Sequence, residues 1–209
     1  MIDIIHVIDD IVEKQVQDEI EQMMFAPAPM WSLLQDVAAS SSLAEKKTPG
    51  IGLTLYHNSV VSVSPFHQEI LQKTLPITIA SCKHLNLNEV MLHQARSFIH
   101  FPLSDHVRKQ HDTIHTDILQ EHLVCLYYVN DSDGDTVLFN ETTEDYPLVD
   151  TTCVFDDRKF TEMKRVQPKK GRVVLFNGKR YHCSSPPQKD LRCIINFNLL
   201  ASSTVGSCA

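Results

Sequence analysis

Apolar positions along the first hundred residues follow two different periods. Ile4 to Ile8 is a short, mostly apolar run and reads as a strand. From Asp10 to Met24, Ile11, Val12, Val16, Ile20 and Met23 recur at helical spacing, which predicts an amphipathic helix with Asp9 or Asp10 at its cap. Ala26-Pro27-Ala28-Pro29 then ends it, because proline cannot continue the hydrogen-bond ladder. Trp31 to Ala39 shows no clear period. Ser40-Ser41-Ser42 through Lys46-Lys47-Thr48-Pro49-Gly50 reads as a polar loop. His67, Ile70, Leu71 and Leu75 predict a second helix between Pro65 and Leu75, and Val90 to Phe101 alternates as a strand.

Beyond Leu123 the pattern changes to short strands, Leu123–Val129, Thr136–Asn140, Val173–Asn177 and Arg192–Leu200, separated by turns rich in Asp, Asn, Pro and Gly. Helices first and strands later, without βαβ alternation, predict an α+β, mainly β fold: a helix-supported antiparallel barrel or sandwich. No internal repeat or linker divides the chain. One domain over 1–209 is expected, with 1–100 as supporting helices and strands and 101–200 as the β core.

At 209 residues the chain can bury a sizeable core without disulfides. Its six cysteines (Cys82, Cys125, Cys153, Cys183, Cys193 and Cys208) form no CxxC pair and read as reduced thiols. The opening Met1 to His6 lacks the basic start and long apolar run of a signal peptide, and no stretch is apolar enough to span a bilayer. A soluble cytoplasmic protein without membrane contact is therefore expected. The net charge of −7 has the wrong sign for a nucleic-acid partner. Asn130 to Asp145 reads as a solvated acidic loop, and the basic cluster from Lys164-Arg165 to Lys169-Lys170-Gly171-Arg172 reads as the flank of a strand.

Against this background His115-Thr116-Asp117, His182 and Arg192 stand out. On a strand, His115 and Asp117 project from one face. A third imidazole from His182 would complete two histidines and one carboxylate, the facial set of non-haem Fe(II) oxygenases, with positions left open. His-x-Asp alone is weak among 11 histidines. His111 is a rival without a carboxylate two residues on, and His122 reads as a loop or strand-edge residue. Cys183, next to His182, should point the other way. Arg192 opens an apolar strand, where a buried guanidinium needs a carboxylate partner. A dicarboxylic cosubstrate would supply one, through a bidentate pair.

The chain resembles the 2-oxoglutarate- and Fe(II)-dependent oxygenase superfamily, in its prolyl 4-hydroxylase-like branch. The resemblance rests on His-Thr-Asp at 115–117, Leu-Val-Cys-Leu-Tyr-Tyr-Val-Asn-Asp at 123–131 and Gly-Asp-Thr-Val-Leu-Phe at 134–139. Pro-Lys-Lys-Gly-Arg-Val-Val-Leu-Phe-Asn at 168–177, His182 and Arg192 complete it, in the family's order. It implies a double-stranded β-helix (jelly-roll, cupin-like) core. His115, Asp117 and His182 would be the catalytic Fe(II) ligands, and Arg192, helped by Tyr128, would bind the distal carboxylate of 2-oxoglutarate. Tyr128 shares a strand face with Val124 and Leu126, which leaves Tyr127 to pack against the helices. Thr136 and Leu138 would line the pocket. Asn196, on the face of Arg192, would contact cosubstrate or substrate, or be a satisfied polar core residue.

The activity so implied is hydroxylation of an unactivated C–H bond by O2, coupled to decarboxylation of 2-oxoglutarate to succinate, with ascorbate as an accessory reductant. A prolyl residue of a peptide or protein is the first expected substrate. A free amino acid or small metabolite is the alternative. Two departures are visible: Asp133 and Asp135 flank a single Gly134 where the family often has two glycines, and Arg192 is followed by no second arginine on its strand, unlike the nucleic-acid-demethylating branch. A non-catalytic cupin-like binder and a zinc hydrolase are the competing classes, but neither accounts for Arg192.

Overall fold

Period-two alternation in the last strands builds the centre of the molecule. The computed structural model describes residues 4–26, 31–37, 48–104, 111–147 and 159–201. Their elements are β1 (His6–Ile8), α1 (Lys14–Phe25), β2 (Ser32–Leu34), β3 (Gly50–His57), β4 (Val60–Val61), α2 (Pro65–His84), β5 (Val90–His100) and β6 (Leu123–Tyr128). There follow β7 (Thr136–Thr142), β8 (Glu162–Val166), β9 (Val173–Asn177), β10 (Arg180–Ser184) and β11 (Arg192–Ala201). Cys153, Cys208 and most of the expected polar loop lie outside the described residues.

The strands form two antiparallel sheets. The larger runs β1-β9-β6-β11-β5-β3-β2, with β4 paired to β3, and the smaller runs β10-β7-β8. A bridge between His115 and His182 adds one more rung to the small sheet. On β6 and β11, Val124, Leu126, Tyr128 and Ile194 face the small sheet and pack with Leu138, Val166, Val174 and Phe176. The alternate residues Cys125, Tyr127, Cys193, Ile195, Phe197 and Leu199 face the other way, against Ile20 and Met24 of α1 and Ile70, Leu71 and Ile77 of α2. The small sheet's outer face buries Val137, Phe139, Tyr181 and Cys183 under Ile114. The result is a double-stranded β-helix backed by two helices, and Cys183 points away from His182 as expected. Of the four described cysteines, Cys82, Cys125 and Cys193 are buried free thiols, and Cys183 is buried too.

Several local expectations give way to tertiary contacts. The first helix starts at Lys14, and Glu13 at its cap makes no side-chain cap bond. Asp10 instead takes a positive φ of 54° and accepts from Gln17, while Asp9 is drawn to Arg172 and Lys169. Those two hydrogen bonds hold the Asp9 carboxyl down at about 2. Lys170 likewise pairs with Asp18 and Glu21. The basic cluster thus fastens the N-terminal segment to the barrel. The second helix runs through Pro76 to His84, because burial of Ile77, Ser81 and Cys82 outweighs the one backbone bond that proline forfeits. The acidic stretch is structural as well as solvated: the Asp133 carboxylate accepts backbone N–H groups of Gln188, Lys189 and Asp190 at 3.1 to 3.4 Å.

Phe197 is fully buried between sheet and helices. Truncation to alanine should cost about 3–5 kcal/mol in chemical denaturation. Leu33→Ala, at a side chain 78% exposed, should stay within about 0.5 kcal/mol.

Candidate functional site

The residues singled out by spacing converge on one cavity of about 120 Å³ between the sheets. His115, Asp117 and His182 place one ligand atom each within 4.8 Å of one another. His115 reaches this point from a single bridge rather than a full strand, its N–H and C=O both paired with His182. Asp117 follows in a bend, so its position depends on side-chain contacts.

Both imidazoles are turned by backbone carbonyls. His115 Nδ1 lies 2.8 Å from Thr113 O, and His182 Nδ1 lies 3.1 Å from Arg180 O. A carbonyl only accepts, so each Nδ1 carries the proton and each Nε2 offers its lone pair to the cavity, the arrangement metal-binding histidines require. Burial, then the neighbouring His115, holds the His182 imidazole down at about 4, so it is neutral at pH 7.

Asp117 is the hub. Its side chain is 3% accessible. Oδ1 accepts from Arg96 Nη2 at 3.0 Å, and Oδ2 accepts from Asn196 Nδ2 at 3.0 Å and Asn198 Nδ2 at 2.9 Å. Burial alone would raise this carboxyl, but His182, Arg96 and His115 outweigh it and hold it far below the usual range. Of these, Arg96 is the charge that persists when the imidazoles are neutral. Two imidazole nitrogens and an ionised carboxylate therefore face one point, and the donor set fits a divalent first-row metal.

Deeper in the cavity, Arg192 is 3% exposed. Nε donates to Gly134 O at 2.7 Å, Nη2 to Thr136 Oγ1 at 2.9 Å, and Nη1 lies 3.5 Å from His100 Nε2. Among the described residues it has no carboxylate partner within ion-pair distance. Tyr128 donates to the same Thr136 hydroxyl at 2.6 Å, with its phenol pushed up to about 12, chiefly by burial. A Cβ on Gly134 would stand 2.8 Å from Arg192 Cδ and 3.0 Å from Ser185 O, so the one glycine retained there lets the arginine lie flat against the chain.

Not every expected residue lies where the sequence put it. Leu138 packs in the core between the sheets and does not line the cavity. Asn196 lines it, but its amide donates to Asp117. His122 lies in the loop just before β6, as expected, but is fully buried there, with Nδ1 on Gln120 O at 2.7 Å. His111 sits outside the cluster, edge-on to Phe139. Arg96, Asn198 and His100 were missed; their only sequence signal is the polarity of alternate positions on otherwise apolar strands.

Residues 98–200 match the family described as the 2OG-Fe(II) oxygenase superfamily. No curated protein sequence matches the chain. Among solved structures it is similar to the non-heme alpha ketoglutarate dependent epimerase SnoN from nogalamycin biosynthesis (TM-score 0.63, 8% identity, 94% of this chain and 78% of that one). An oxidoreductase of the 2OG-Fe(II) oxygenase family from Burkholderia pseudomallei gives a TM-score of 0.62 at 10% identity, over 93% and 84% of the two chains. A prolyl hydroxylase from Trichoplax adhaerens, solved with a hypoxia inducible factor oxygen degradation domain peptide fragment, gives 0.57 at 13%, over 98% and 87%. At such identities these likenesses carry the fold. The chain belongs to the 2OG-Fe(II) oxygenase superfamily. It is an oxygenase that uses Fe(II), 2-oxoglutarate and O2.

Burial holds His100, His122 and His182 below the ordinary histidine value of 6.5. The unfolded chain therefore takes up protons near pH 6.5 that the native state refuses, and stability should fall as pH drops from about 6.5 toward 4. Denaturant midpoints of the metal-free protein at pH 7.5 and pH 5 check this, with the lower midpoint expected at pH 5.

Proposed function

We propose that His115, Asp117 and His182 hold the Fe(II), that Arg192 holds the distal carboxylate of 2-oxoglutarate with Tyr128 helping through the Thr136 hydroxyl they share, and that the protein hydroxylates an unactivated aliphatic C–H bond. The observation that carries this reading is Arg192, a buried guanidinium without a carboxylate partner among the described residues, lining the same cavity as the triad. Its Nε, one N–H of Nη2 and one N–H of Nη1 are directed at Gly134, Thr136 and His100, which leaves one N–H on each Nη nitrogen for a bidentate carboxylate. The bound metal supplies dioxygen activation and C–H oxidation, coupled to loss of CO2 from 2-oxoglutarate.

The chain's own groups set the positions. Carbonyls of Thr113 and Arg180 fix the imidazole tautomers, the two asparagines and Arg96 fix the Asp117 carboxylate, and Phe98, Leu126 and Ile194 wall the cavity against water. A cupin-like binder or a zinc hydrolase leaves Arg192 without a role. For the substrate, a prolyl ring is supported by the prolyl hydroxylases among the similar folds. A free amino acid or small metabolite is the second reading, and Arg96 favours it. Cytoplasmic residence and a single domain spanning 1–209 remain part of this proposal. Among the described residues no helix is long and apolar enough to cross a membrane.

Anaerobic addition of Fe(II) and 2-oxoglutarate should produce the weak visible charge-transfer band of the chelate, and admitting air with substrate should release succinate. His115→Ala and Asp117→Ala should lose both signals. Arg192→Ala should keep metal binding but raise the 2-oxoglutarate requirement about 100-fold, since a lost buried charge-assisted pair is worth about 3 kcal/mol. A wild-type protein that binds neither ligand would refute the assignment. Asn198→Leu removes one of the donors to Asp117 and should weaken Co(II) binding to the metal-free protein about 10–100-fold, measured by optical titration.

A further inference from the structure

We infer that Arg96 is a substrate-binding residue, and that the substrate is a small molecule bearing a free carboxylate close to the carbon that reacts. The inference rests on the assignment above of the triad and Arg192. Arg96 lies on β5 in register with Asn196 of β11, whereas Arg192 is in register with His100. Four residues separate the two levels, about 13 Å along the strands. The cavity thus holds two guanidinium groups, Arg192 buried at one level and Arg96 beside the triad at the other.

Arg96 is the accessible member of the group around Asp117. Its side chain is 26% exposed, against 5% for Asn196 and none for Asn198. Its guanidinium carbon sits 5.4 Å from the centre of the Phe98 ring, which supports the fork from one side. A guanidinium has five N–H groups. Among the described residues it makes a single hydrogen bond, to Asp117 Oδ1. Its Nε is buried without a partner among the described residues, and the N–H groups of Nη1 and the second N–H of Nη2 are left for a ligand.

Holding Asp117 accounts for one edge of this cation and leaves the rest of it unexplained. Asp117 already receives two neutral amide donors on Oδ2, and its ion pair with Arg96 uses one N–H of the guanidinium. A permanent positive charge beside a divalent metal weakens metal binding by like-charge repulsion. Such a charge is useful where an anion must also be held. A carboxylate on the free edge of Arg96 would lie next to the metal position. The substrate's aliphatic part would meet Phe98, Leu126 and Ile194. A free amino acid, or a compound like one, meets these demands, and a prolyl residue in the middle of a peptide, which has no carboxylate there, does not.

The test uses the protein loaded with Co(II) and 2-oxoglutarate without oxygen turnover, and reads the shift of the cobalt visible bands. The probes are a panel of small aliphatic and amino acids, including L-proline and N-acetyl-L-proline, each beside its primary amide, and one peptide with an internal proline. At least one acid should shift the bands with an affinity about tenfold or more above its amide, the size of one charge-assisted pair. Arg96→Gln should bring acid and amide within about twofold, and Arg96→Lys should retain part of the difference. Thermal melting and the cobalt spectrum itself establish that each variant is folded and loaded. The inference is overturned if no acid shifts the bands, if amides or the peptide bind as well as acids, or if Arg96→Gln changes only the 2-oxoglutarate requirement. Failure of wild type to give any 2-oxoglutarate-dependent spectrum would instead overturn the assignment beneath it.

Discussion

A carboxylate removed from water is the constraint around which this protein is arranged. Desolvating an ionised group costs several kcal/mol unless hydrogen bonds and opposite charge replace the lost water. Asp117 is almost inaccessible, and its replacement solvent comes from β5, through Arg96, and from β11, through Asn196 and Asn198. Those strands are adjacent in the large sheet, whereas Asp117 follows the bridge that joins the small sheet at His182. The donors therefore do more than satisfy an anion. They tie the large sheet to the side of the small sheet on which His115 and His182 are already paired.

The second buried charge is solved differently. Arg192 enters from the start of β11 and, among the described residues, finds only neutral acceptors, a carbonyl, a hydroxyl and an imidazole ring. One end of the cavity is an anion already supplied with donors, and the other is a cation without a counter-charge among the described residues. Under the proposed assignment, that asymmetry would give a bound dicarboxylate a direction, with its chelating end toward the triad and its far end toward Arg192.

Much of this was legible because β structure writes its two faces into alternate residues. Leu123 to Tyr128 and Arg192 to Leu199 assign every side chain to a layer, so Tyr128, Tyr127 and Cys183 fell where alternation put them. The metal and cosubstrate candidates were legible because few other roles explain them together. What stayed hidden was long-range. Asn196 and Asn198 meet a carboxylate some 80 positions away, and nothing in their strand names that partner. β8 buries a single residue, Val166, so it has no alternation to read. β3 opens on Gly50 and Gly52, whose missing side chains make room for Ile99 and for Leu34 and Phe98. The first helix lost its expected cap because Asp9 found a better partner in Arg172 than in the helix N–H groups.

The margins of the large sheet carry a different consequence. It is bounded by β1 and β2, each three residues long, with β4 adding two residues beside β3. A long, flat, unpaired strand is a template on which another chain can extend a sheet. Here the central strands, up to 11 residues in β5, are enclosed by partners, and the rims offer too few free backbone groups to recruit a neighbour. Fastening β1 through Asp9 to Arg172 and Lys169 keeps that rim closed. The large sheet is thereby poorly suited, along those two margins, to pair edge to edge with another chain.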